Sequence, residues 1–70
     1  MNYKEFRATL ELLELRLYSH DSRVLYNDAK SMYVGVQANE VRVGYLGHAQ
    51  FFGNQYSHAL NKVTEILADD

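Results

Sequence analysis

The segment SMYVGVQANEVRVGYLG, residues 31–47, alternates apolar and polar side chains almost without a break. That is the period of a half-buried β-strand, because successive side chains point to opposite faces. Ala38-Asn39 divides the segment and suits a two-residue turn, since Asn tolerates positive φ. With that turn, Gln37 faces Glu40, Val36 faces Val41, Val34 faces Val43 and Met32 faces Tyr45. All the apolar members of these pairs then share one face. A one-residue slip would turn one strand's apolar set outward. Ala is not ideal at the first position of a type I′ turn, so a slipped or longer loop is the alternative.

The opposite face carries Tyr33, Gly35, Gln37, Glu40, Arg42, Gly44 and Leu46. Tyr33 falls opposite Gly44, and its ring can cover that glycine. Alternatively the face is open, with Tyr33 and Arg42 as anchors between glycines that permit close approach. Both residue types are enriched in binding hot spots. Upstream, SRVLYNDAKS (residues 22–31) reads as a shorter strand ending in a turn at Asn27-Asp28-Ala29. Either Val24 and Tyr26, or Leu25, faces the core.

Residues 2–18, NYKEFRATLELLELRLY, read as a helix. Asn2 is a good N-cap, and Glu5 follows three residues later, as in a capping box. Tyr3, Phe6, Leu10, Leu13 and Leu17 fall in one narrow sector at about 100° per residue. Ala8, Leu12, Leu15 and Ser19 form a second stripe on nearly the opposite side. The two extra leucines are either plain exposed apolar residues or a contact surface for a partner or a second copy. The small residues at the ends of this outer stripe would let a second helix approach, giving a homodimer through the outer face of the first helix.

After Gly47 the period changes from 2 to 3.6. Ala49, Phe52, Tyr56, Ala59, Leu60, Val63, Ile66 and Leu67 make one apolar stripe. Gly47 suits the N-cap of a second helix, although Gly53 inside the pattern costs about 1 kcal/mol relative to Ala. The helix therefore begins near His48 and bends, or begins near Asn54. Phe51 points away from the stripe.

The chain has 70 residues, 47% of them hydrophobic, which is one domain (1–70) and too apolar for disorder. A domain of this size buries only about 60% of its unfolded surface, so a partner or second copy would add useful area. The net charge is −2, which gives no bulk attraction for phosphates. There is no cysteine, and a secreted domain this small would usually need disulfides. No apolar run nears the roughly 20 residues of a membrane span. The N-terminal stretch also lacks a signal-peptide apolar region. These features point to a cytoplasmic protein. His20, His48 and His58 match no zinc-ligand spacing, and nothing marks a nucleophile with its base. No metal, cofactor or catalysis is expected.

The resulting order is helix, three strands, helix: an α+β domain (αβββα) with an antiparallel meander and both helices on one face. In order and length it is similar to the double-stranded RNA-binding domain over most of the chain. That family's basic cluster at the start of the second helix is missing here. GHAQFFGNQYSHALNK, residues 47–62, has a single lysine, Lys62. No RNA-contacting residue carries over.

The expected function is a non-enzymatic protein-binding module, an inhibitor or regulator that occupies a surface of a larger complex. Small acidic proteins without catalytic motifs are common products of phages and mobile elements, including inhibitors of bacterial defence complexes such as CRISPR-Cas. That is an argument from type. The candidate contact residues are Leu12, Leu15, Tyr33, Arg42 and Phe51, which lie on different elements and cannot all serve one interface. The alternative is nucleic-acid binding on the sheet face, with Tyr33 stacking on a base and Arg42 pairing a phosphate.

Overall fold

The first helix stops earlier than its apolar spacing predicts. The computed structural model describes residues 1–13, 15–18 and 23–69. In it α1 spans Tyr3–Leu12. Its start is as read: the Asn2 side chain accepts the Glu5 N–H at 2.8 Å and donates to the Glu5 carboxylate at 3.2 Å. Its end is not. Leu13 is an extended C-cap whose N–H returns to the Leu10 carbonyl at 3.1 Å. Leu15 then enters the core, and β1 (Arg16–Leu17) pairs antiparallel with β2 (Val24–Asn27). Leu13-Glu14-Leu15-Arg16-Leu17 alternates as strictly as a strand, so it satisfies both periods. Backbone pairing with β2 decides between them. Ser19, Glu14 and the expected helix exit at His20-Asp21-Ser22 lie outside the described residues.

In β2 the inward residue is Leu25, fully buried opposite Val34. The turn after β2 falls at 28–31, one residue later than expected. Asn27 stays in the strand, and its side-chain oxygen accepts the Lys30 N–H at 3.1 Å. The hairpin of β3 (Met32–Gln37) and β4 (Glu40–Tyr45) has the register read from its alternation, from Gln37↔Glu40 through Val36↔Val41 and Val34↔Val43 to Met32↔Tyr45. Asn39 takes the left-handed conformation at φ 64°.

The largest departure follows Tyr45. Leu46 and Gly47 both have positive φ, 51° and 82°, the pattern of a type I′ hairpin turn. The chain therefore returns as β5 (His48–Gly53), which overturns a helix start near His48 and leaves the alternative start near Asn54. β5 pairs Tyr45↔His48, Val43↔Gln50 and Arg42↔Phe51, and then shifts so that Val41 meets Gly53. Phe52 is the extra residue of that bulge and packs against the core. The bulge reconciles the helix-like spacing of Ala49, Phe52 and Tyr56 with a strand. Gly53, at φ 59°, ends it, and α2 runs Tyr56–Ala68.

The sheet therefore has five antiparallel strands in the order β1-β2-β3-β4-β5, in place of the expected three. With five strands the similarity in element order to the double-stranded RNA-binding domain is lost. The α+β class holds, and both helices add to one core. Phe6 and Leu10 of α1 meet Ala59, Val63 and Ile66 of α2 over Leu25, Met32, Val34, Val36, Val41 and Val43 of the sheet. The Phe6 and Tyr56 rings lie 5.4 Å apart, and the Tyr3 hydroxyl donates to the Val36 carbonyl at 2.8 Å. Among the described residues no polar side chain is buried, and no helix is long and apolar enough to cross a membrane.

Candidate binding surface

With both helices on one face, neither covers the other face of the sheet, and the strand registers decide what it presents. One row across it runs Arg16, Tyr26, Tyr33, Gly44, Ala49. The next runs Val24, Gly35, Arg42, Phe51. Gln37 and Glu40 follow toward the hairpin turn.

Arg42 is the centre of this surface. Its guanidinium carbon lies 5.9 Å from the Tyr33 ring centroid and 5.5 Å from that of Phe51. Both distances are within cation–π range. Among the described residues no carboxylate lies within ion-pair reach of Arg42. The two rings limit the side chain's rotamers while its charge stays exposed. Phe51 is 74% exposed, a large apolar ring in water beside a cation. Gly35, Gln37, Glu40 and Gly53 line a shallow groove next to the pair. At the other end Tyr18 meets Tyr26 edge-on, with centroids 5.9 Å apart at 88°.

Tyr33 also covers Gly44, as one reading of the sequence had it. A Cβ built on Gly44 would fall within the Tyr33 ring. We expect Gly44→Ala to cost about 1–3 kcal/mol, the range for overpacking a tight site. The penalty should shrink markedly in a Tyr33→Ala background, because the two positions are in contact. Urea unfolding of the single and double variants measures this. Equal penalties in both backgrounds would show that the ring does not occupy that space.

Of the candidate residues, the structure brings Tyr33, Arg42 and Phe51 together. Leu12, 87% exposed on α1, stands apart from them. Leu15 is buried at 7% and lies beyond the helix end, so the outer stripe through Leu12 and Leu15 does not exist as a surface. Of the residues expected to form the homodimer contact, Leu15 is taken into the core, Ala8 and Leu12 stay exposed on α1, and Ser19 lies outside the described residues. Arg16, Tyr18 and Tyr26 were not singled out. The alternation of residues 13–17, carried one residue further, is the signal that places Arg16 and Tyr18 on this face. His48 and His58 are exposed and on different elements, and His20 lies outside the described residues. Among the described residues no three His, Asp or Glu side chains converge.

The charge of this face differs from that of the whole chain. The net charge is −2, yet the face carries exposed Arg16 and Arg42 against Glu40. No protein-family model matches the sequence, and no curated protein or solved structure matches it either.

Proposed function

We propose that the chain is a non-enzymatic protein-binding module whose contact surface is the uncovered sheet face. It would act in the cytoplasm as an inhibitor or regulator that occupies a surface of a larger complex. By type, such a protein resembles those that phages and mobile elements direct at bacterial defence complexes. The observation that carries this reading is the Tyr33–Arg42–Phe51 stack, a cation beside two aromatic rings on a face that neither helix covers. Tyr and Arg are the residue types that dominate interface energetics, and an already ordered Arg loses less rotamer freedom on binding. Rings and arginines also suit stacked bases and phosphates, which supports nucleic acid as the second reading. The acidic net charge of the chain weighs against it.

The test is capture from the native host with wild type, Arg42→Ala, Phe51→Ala and Leu12→Ala, followed by a salt titration of the captured complex. Truncating a hot-spot residue should weaken binding by about 2 kcal/mol or more, roughly 30-fold, for Arg42 and Phe51. Leu12→Ala should bind as wild type. Unchanged capture by both face variants would refute the proposal. A steep loss of affinity with salt, together with sensitivity to nuclease, would favour the nucleic-acid reading.

A further inference from the structure

The two edges of the sheet are unlike. β1 is two residues long and bears Arg16. β5 is six residues long and contains no Lys, Arg, Asp, Glu or Pro. Natural sheets protect exposed edges with charges, proline, short strands or bulges that twist the edge away. β5 has only the bulge at Phe52, which leaves His48–Phe51 regular. The Leu46–Gly47 turn makes Tyr45 and His48 a hydrogen-bonded pair, and bonded pairs recur at alternate positions. Val43 and Gln50 are therefore the next such pair. The N–H and C=O of Ala49 and Phe51 point outward, and no turn, loop or cap hydrogen bond among the described residues ends on them.

We propose that β5 pairs antiparallel with β5 of a second copy, about a two-fold axis through Gln50, and joins the two sheets into one. In this register Ala49 lies opposite Phe51 of the second copy, and Phe51 opposite its Ala49. A large side chain meets a small one on both sides of the axis. Gln50 meets Gln50, and a side-chain amide both donates and accepts, so it is its own complement. No charged residue of either strand is apposed. A register centred on Phe51 would instead place Ala49 against Gly53, the last residue of β5, whose φ of 59° departs from strand backbone. On the helix side an open groove lined by Val43, Tyr45, His48, Gln50 and Lys62 leaves room beside the axis. The pairing closes at two copies, because β1 at the far edge is too short and too charged to continue it. The uncovered faces of the two copies become one continuous surface, and this holds whatever partner that surface takes.

The absence of cysteine makes the test specific. A disulfide in Gln50→Cys can form only between copies. Wild type should sediment with the mass of two chains at roughly 100 µM, where even a micromolar dimer is populated. Oxidised Gln50→Cys should crosslink nearly completely, and Leu12→Cys, exposed at the end of α1 and not on the β5 edge, should not. Gln50→Lys and Gln50→Glu each place like charges face to face and should halve the sedimenting mass with the circular dichroism spectrum unchanged. Mixing the two variants should restore the dimer. A one-chain mass for wild type, a persistent dimer in Gln50→Lys, or equal crosslinking of the two cysteine variants would overturn the proposal.

Discussion

Val43→Asp should leave the chain unfolded at room temperature. Val43 is 2% exposed, sits on β4 opposite the fully buried Val34, and faces the layer formed by the two helices. A carboxylate there would have no buried polar side chain to bond, since none exists among the described residues. An unpaired buried charge costs about 3–5 kcal/mol. The protonated form escapes the charge but still leaves an unsatisfied carboxyl group, at about 1–3 kcal/mol. The lost valine packing adds to either. A domain of this size sits near the low end of the usual stability range of about 5–15 kcal/mol, so little or nothing is left. Gln37→Lys, exposed at the end of β3 directly before the Ala38-Asn39 turn, should change stability by no more than about 0.5 kcal/mol. Circular dichroism melts of both variants decide the matter. A cooperative melt of Val43→Asp at the wild-type temperature would show that the hairpin register is wrong.

Phe6→Ala should cost about 3–5 kcal/mol, the usual range for truncating a buried phenylalanine. Phe6 is fully buried, packs on the Tyr56 ring, and with Leu10 forms the inner face of α1. The cavity lies where α1, α2 and the sheet meet, so no single side chain can collapse into it without moving a helix. Leu12→Ala, on the exposed side of the same helix, should cost no more than about 0.5 kcal/mol. Urea unfolding gives both values. Similar costs for the two would mean that α1 does not dock through Phe6.

What was legible in the sequence is what short-range chemistry controls. The Asn2–Glu5 cap starts α1 from within its first turn. The β3–β4 register follows from alternation alone, because only one pairing puts both apolar sets on one face. That also placed Tyr33 and Arg42 side by side on the opposite face. Phe51 stood out as an aromatic off the expected helical stripe, but its seat beside Arg42 depends on the β4–β5 register.

The remainder was decided by pairing between distant segments. Leu13–Leu17 fits helix and strand periods equally in sequence, and pairing with Tyr26 and Leu25 makes Arg16 and Leu17 a strand. Residues 48–53 have a helical apolar spacing, yet the free edge of β4 and the left-handed Leu46–Gly47 turn draw them into the sheet, with one bulged residue absorbing the mismatch. Each choice changed which side chains are buried. Leu15 moved from a supposed outer surface to the core, and Tyr18 and Tyr26 joined the uncovered face. A residue's own period reports only which of its neighbours can share a face. Which face is covered depends on hydrogen-bonding groups tens of residues away, and those are satisfied only when the whole sheet has formed.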